Sequence, residues 1–432
     1  MREYIHRDRY LQKLIDRREN GQIKVITGLR RCGKSFLLFE LYYDYLVRSG
    51  VKPEQIITIS LDDDSYQDYQ DTAKLSAYIR SRITDHDRMY YIFIDEVQYA
   101  ISKNEIIHAE YDLRLYSVLN GLQHLGNTDI YVTGSNSKLL TKDVLTAFRG
   151  RGDRVEIFPL SFREFYEHTG GEKTEKFEDY ALYGGLPLVL SKRTPDAKYQ
   201  YLRDLFNEVY FKDISERYNI DLPEVLEELT DDLCSSIGSL TNASKISKTL
   251  QSVKGTKVSS NTIAQYLQYL QESFLFSQAK RFDIKGKRYF EYPSKYYCTD
   301  VGLRNARLNF RQQEETHIME NIIFNDLISR GFSVDVGVVE MSEMNADGKK
   351  SRKQVEIDFV VNRGPKRYYI QSALYLNDEL KRQQEMRPLK QTGDFFKKII
   401  VTKTSVHPWT DENGILYIGL YDFLLKVNAL DL

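Results

Sequence analysis

The chain has 432 residues, enough for roughly two to four domains, and balances 61 Lys and Arg against 62 Asp and Glu for a net charge of −1. That balance excludes a uniformly basic, polyanion-coating protein, though it can hide a local basic domain. With 41% hydrophobic and 28% charged residues, several cores can be buried, and no run of about 18 apolar residues points to a membrane span.

Met1–Glu19 is rich in charge and lacks an apolar core of signal-peptide length. The three cysteines, Cys32, Cys234 and Cys298, have no metal-like spacing. Both features fit a reducing cytoplasm. Tyrosine is frequent, at 32 residues, with no single cause visible.

Along the N-terminal third, short apolar runs alternate with helical patterns. Ile23–Thr27, Gln55–Leu61, Tyr90–Ile94 and Ile130–Thr133 read as strands, and Ser35–Ser49 has helical spacing. Strands alternating with helices predict a parallel sheet covered on both faces. From about Leu160 to Thr230 the pattern is mostly helical, interrupted by Gly-Gly-Leu-Pro at 184–187. Three helices are expected at Pro223–Ser236, Ala243–Val253 and Ser259–Ser273, the last capped by Ser259, Ser260 or Asn261. A ribbon at Phe274–Phe290 follows. The last stretch returns to mixed character, with a helix at Thr316–Arg330, strands near Val355–Val361 and Arg367–Gln371, and a polar, basic loop at Ala346–Lys353.

The segment Gly28-Leu29-Arg30-Arg31-Cys32-Gly33-Lys34-Ser35 fits the phosphate-loop pattern G-x-x-x-x-G-K-[ST], and it follows a strand and opens a helix, as that pattern requires. The glycines let the backbone curl around phosphate oxygens, and the helix N-terminus adds its dipole. Lys34 is expected to reach the β- and γ-phosphates of ATP and Ser35 to ligate Mg²⁺, with Phe36 next in the helix. Tyr91-Ile92-Phe93-Ile94-Asp95-Glu96 is the partner: an apolar strand whose end places two carboxylates at the carboxyl edge of the sheet. Asp95 is expected to hold Mg²⁺ through water and Glu96 to polarise the attacking water; alone, the pair would read as the acidic cap of a helix. After the next strand, Ser135 and Asn136 are both candidates to sense the γ-phosphate; the competing reading is a turn with Asn136 or Ser137 as a helix N-cap. Arg149 and Arg151 can act in trans on a neighbouring copy or lie as solvated surface charges.

Taken together, GLRRCGKS, YIFIDEVQ, TGSNSKLL, FRGRG, FPLSFREF and YGGLP resemble a group of prokaryotic AAA-type ATPases that carry a C-terminal domain of unassigned function. The similarity continues through KYYCTDVGL at 295–303 and Glu356-Ile357-Asp358-Phe359, so it covers nearly the whole chain. The resemblance implies an α/β fold: a P-loop NTPase parallel-sheet domain, a helical winged-helix domain and a mixed α/β restriction-endonuclease-like end. Mapped onto this chain, these become an ATPase domain at 1–165, a helical lid or linker at 166–222, a winged helix at 223–295 and the end domain at 296–432.

Residues 241–295 hold eight Lys and two Arg against two Glu and one Asp. Lys280, Arg281, Lys285, Lys287 and Arg288 fall on the expected wing, where they suit contact with DNA phosphates. The expected recognition helix has no Lys or Arg, only Gln265, Gln268 and Gln271 as polar readers. A protein-interaction or lid role therefore stands beside duplex DNA.

In the end domain, Glu320, Glu356, Asp358 and Gln371 are spaced like a nuclease core in which acids bind Mg²⁺ and activate water. Where that core has a Glu-x-Lys pair, this chain has Gln371-Ser372-Ala373. Gln is a weaker metal ligand and Ala cannot replace the lysine, so a degenerate site that binds or scaffolds is expected. The sequence thus predicts Mg²⁺-dependent ATP hydrolysis coupled to conformational change or assembly, with a homo-oligomer implied by the resemblance. A nucleotide-gated regulator with negligible turnover and an ATP-dependent nuclease remain as alternatives.

Overall fold

The computed structural model describes residues 4–101, 114–135, 152–311, 314–344, 350–376 and 378–432. They form two compact units, Met1–Pro159 with Glu272–Phe274, and Leu160–Gln271 with Leu275–Leu432.

The first unit is built on five strands, β1 (Ile23–Gly28), β2 (Ile56–Ser60), β3 (Tyr90–Asp95), β4 (Thr128–Gly134) and β5 (Gly152–Ile157). They pair in the order β2-β3-β4-β1-β5, all parallel. Strands β1 and β3 are buried along their full length, which is why β3 reads as a nearly continuous apolar and aromatic run, while β1 is broken by the buried Lys24. On one face Ile23, Val25, Ile59, Ile92, Ile94 and Val132 pack with Leu75, Ile79, Leu119 and Leu122 of the helices Thr72–Arg82 and Arg114–Gln123. Strand β5 escaped the periodicity reading because charged residues at 153, 154 and 156 break its apolar run. It lies at the sheet edge, where such residues can reach water.

The second unit carries eight strands: β6 (Phe276–Asp283), β7 (Arg288–Cys298), β8 (Ser333–Met344), β9 (Lys350–Arg363), β10 (Lys366–Ala373), β11 (Lys397–Thr402), β12 (Trp409–Thr410) and β13 (Ile415–Gly419). Their order is β12-β13-β11-β10-β9-β8-β6-β7. The β6–β8, β10–β11 and β11–β13 pairs are parallel and the others antiparallel. The expected helices are present as Pro223–Ser235, Ala243–Thr249 and Ser260–Glu272, and Ser259 caps the last through its hydroxyl, which accepts from Thr262 N at 3.1 Å.

One expectation is corrected here. The ribbon after the third helix does not end its own domain at residue 295: that boundary falls inside β7, and β6 pairs in parallel with β8 from Arg281↔Val336 to Asp283↔Val338. The hairpin is the margin of the eight-stranded sheet, because β8 supplies hydrogen-bond partners that an isolated ribbon would leave to water. Part of the expected loop at 346–353 is strand, since β9 begins at Lys350.

Candidate active site

Strand β1 delivers the phosphate loop. Gly28 has φ +146°, and a Cβ there would meet Ile157 O at 2.1 Å, so only glycine fits between the loop and β5. Gly33 turns the chain at φ +100°, and the helix opens at Lys34 and runs through Arg48, with a wider π-type turn over Leu37–Tyr42. Leu29 and Cys32 are buried, Arg30 is half-buried, and Arg31, with φ +61°, and Ser35 are exposed. Burial raises the Cys32 thiol's pKa, which keeps it an inert packing group. Lys34 is buried and folds back on its own loop, donating to Leu29 O at 3.1 Å and Gly28 O at 3.3 Å.

Strand β4 lies between β1 and β3, so its carboxyl end joins the loop to the acids. Thr133 Oγ1 hydrogen-bonds Asp95 Oδ1 and accepts from Glu96 N at 3.2 Å. Burial raises the pKa of Asp95, opposed by hydrogen bonds from Ser35 and Thr133. The Ser35 hydroxyl and Asp95 carboxylate are thus adjacent hard oxygen donors, which is the chemistry Mg²⁺ takes. Glu96 stands in the left-handed region at φ 51°, a strained setting for a glutamate. Its Oε2 accepts from Gln98 Nε2 and, at 3.3 Å, from Ser135 Oγ. Asn136, Arg149 and Arg151 lie outside the described residues.

Two contributors were not singled out from the sequence. Gln98 stands two residues beyond Glu96, in a motif whose acids drew the attention. Arg7 is buried and donates to Cys32 O at 3.1 Å and Phe158 O at 2.7 Å, tying the phosphate loop to the end of β5; no pattern marks a lone arginine ahead of a helix.

In the second unit the basic residues of the β6–β7 hairpin separate. Lys280, Lys285, Lys287 and Arg288 are exposed, while Arg281 is half-buried and donates to Gln354 Oε1 at 3.0 Å. Lys285 Nζ reaches Glu340 O at 3.3 Å and Arg288 pairs with Asp283 at 3.4 Å. The acids of the end region do come together. Glu320 on the helix Glu315–Ser329, Glu356 and Asp358 on β9, and Gln371 on β10 surround one spot, with Gln371 Oε1 3.4 Å from Asp358 N. Lys295 of β7, which the sequence offered only as the first residue of KYYCTDVGL and as one of the lysines of 241–295, is buried among them. No helix of the described residues is long and apolar enough to cross a membrane.

Residues 20–166 match a family model described as an AAA domain, and residues 174–314 match one described as a domain of unknown function. An uncharacterized protein of Haemophilus influenzae is 32% identical over 427 residues, 98% of this chain and 99% of that protein. One from Methanocaldococcus jannaschii is 26% identical over 380 residues, 84% of this chain and 77% of its own. A solved Walker-type ATPase of Pyrococcus abyssi aligns over 71% of this chain and 96% of that one, at 16% identity and a TM-score of 0.48.

Proposed function

The chain belongs to the same family as the Haemophilus influenzae protein, and its first unit is an AAA-type P-loop domain; on that premise we propose that it binds ATP with Mg²⁺ and hydrolyses it. The observation that carries this reading is the meeting of Lys34, Asp95, Glu96 and Ser135 at the carboxyl ends of three adjacent strands. Lys34 would exchange the carbonyls of Gly28 and Leu29 for the β- and γ-phosphates. Ser35 and Asp95 would hold Mg²⁺, which supplies charge neutralisation on the phosphates. Glu96 would orient a water whose oxygen bonds to the γ-phosphorus as the bond to the bridging oxygen of ADP breaks, and the water's proton leaves through Glu96 to solvent. Asn136 and Arg151 are proposed to complete the site, the arginine from a neighbouring copy in a homo-oligomer.

Lys34→Ala should abolish ATP binding, while Glu96→Gln should retain binding and lower turnover by about 100-fold or more. Equal turnover in Glu96→Gln and wild type would remove Glu96 from this role. Turnover absent from the wild type under all conditions would favour a nucleotide-gated regulator.

A second reading rests on the exposed cations of the β6–β7 hairpin: Lys280, Lys285, Lys287 and Arg288 would contact the phosphates of duplex DNA, and the ATPase would act on it. Replacing Lys285, Lys287 and Arg288 together with Ala should weaken binding and flatten its dependence on salt. Unchanged binding would direct the search to a protein partner.

A further inference from the structure

The carboxylate cluster of the second unit already contains a cation. Lys295 Nζ lies 2.8 Å from Glu320 Oε1, 2.6 Å from Glu356 Oε1 and 3.9 Å from Asp358 Oδ1. These partners come from a helix, from β9 and, for the lysine itself, from β7. Opposite Lys295 in the β6–β7 register stands Ala279, fully buried.

Among the described residues, three of the six carboxylate oxygens, Glu320 Oε1, Glu356 Oε1 and Asp358 Oδ2, already hold a donor. Glu320 Oε1 takes two donors, Lys295 and the hydroxyl of Tyr297 at 2.6 Å, which accounts for both of its lone pairs. Asp358 Oδ2 accepts from Ser372 N at 2.8 Å. The backbone at Gly238 closes over the glutamate so tightly that a Cβ there would stand 3.1 Å from Glu320 Oε1. A Mg²⁺-sized ion demands near-octahedral oxygen ligands at about 2.0–2.1 Å, and the ammonium takes up the space between Glu320 and Glu356 on the side that faces Asp358. Gln371, neutral, adds no charge to recruit it.

We infer that Lys295 is the resident counter-cation of this cluster: the wild-type site is closed to divalent metal, and removing the ammonium opens it as a divalent-cation site formed by Glu320, Glu356 and Asp358. The charges support this account. Burial alone would lower the lysine's pKa, but Glu320, Asp358 and Glu356 hold it above its usual range, so the ammonium stays charged. Without it, the three carboxylates lose the cation that pairs with them among the described residues, and a hard dication is the ligand they would take. The lysine that Ala373 does not supply is therefore present, but it plugs the site instead of serving a metal, and the cluster acts as a clasp joining β7, β9 and the helix.

The test uses the full chain in an Asp95→Asn background, which removes the carboxylate of the nucleotide site. Mn²⁺ binding is followed by electron paramagnetic resonance and by melting in Mn²⁺ against EDTA, without nucleotide. With Lys295 intact, no saturable Mn²⁺ site and no thermal shift are expected. Adding Lys295→Met should lower the melting temperature in EDTA and create one Mn²⁺ site that restores it by about 4 °C or more at saturation, and adding Asp358→Asn should abolish that gain. Saturable Mn²⁺ binding in the Lys295 protein that disappears with Asp358→Asn would overturn the inference. So would Mn²⁺-dependent nicking of supercoiled DNA by the wild type that disappears in Asp358→Asn. A folded Lys295→Met protein indifferent to Mn²⁺ would do the same. The first two outcomes need no Lys295 variant to fold.

Discussion

Asp300 Oδ2 accepts a hydrogen bond from Gly185 N at 2.7 Å across 115 residues of sequence, while its Oδ1 takes the N–H of Leu303 at 3.1 Å. The two segments so joined are YGGLP and KYYCTDVGL, the motifs for which nucleotide chemistry had no use. Their small residues serve backbone proximity: a Cβ on Gly302 would stand 2.0 Å from Tyr183 O. Gly302→Ala should therefore destabilise the second unit by about 3 kcal/mol or more, since backbone and not a flexible side chain blocks the methyl. Differential scanning calorimetry with and without ATP would separate this loss from any effect on the nucleotide domain.

Burial pushes the Asp300 carboxyl from 3.8 up to about 6, against the N–H groups of Gly185, Leu303 and Gly302, which pull it down. An acid whose folded pKa is raised contributes most to stability below its unfolded pKa, and that contribution is lost as pH rises through the folded value. Between about pH 4 and 6 the stability of the wild type relative to Asp300→Asn should fall by roughly 3 kcal/mol in total and then level off. A difference independent of pH in paired melts would show that the carboxyl is not the titrating group.

In the first unit Lys24 of β1 and Asp129 of β4 form an ion pair buried in the sheet, and Asp129 Oδ2 also accepts from Tyr131 at 2.7 Å and from Glu19 N at 3.0 Å. Lys24→Met would leave that carboxylate without its cation, at a cost of about 3–5 kcal/mol. Adding Asp129→Asn should recover part of the loss, because the charge is gone while an acceptor for Tyr131 remains. Thermal unfolding of the two single variants and the double variant gives the coupling directly.

Gln98 holds Glu96 from one side and Ser135 from the other. If the site turns over ATP as proposed, Gln98→Ala should change kcat by about 10-fold or more with little change in KM, since Gln98 positions the glutamate that would orient water and does not touch phosphate. A change confined to KM would place Gln98 in nucleotide binding instead.

Arg7 makes a different demand, because it fixes Cys32 O from outside the loop. Arg7→Met should weaken ATP binding about 10-fold through a loosened phosphate loop, as measured by titration calorimetry. Unaltered affinity would show that the loop keeps its shape without this anchor.

The phosphate loop and the acids of β3 were legible because their chemistry constrains neighbouring positions: glycines where the chain turns, and carboxylates where a buried strand ends. Arg7 and Lys295 were not, because their partners lie 25 or more residues away in the chain and neither residue breaks the local pattern around it. For the same reason the missing lysine at 373 looked decisive in the sequence, while the ammonium supplied by β7 was invisible. The β6–β7 hairpin was readable as a ribbon. Its pairing with β8, some 55 residues downstream of β6, was not, since strand alternation specifies which face is buried but not which strand lies alongside.

That pairing has a mechanical consequence. Strand β7 begins at the exposed cation Arg288 and passes the buried Lys295 seven residues later, a reach of roughly 23 Å for extended chain. A hairpin standing free could swing on its own hinge and absorb a tug at its tip. Stitched into the sheet, it behaves as a stiff rod, and any load applied to its basic end is borne by the ladder of β6 and β8 and by the clasp around Lys295.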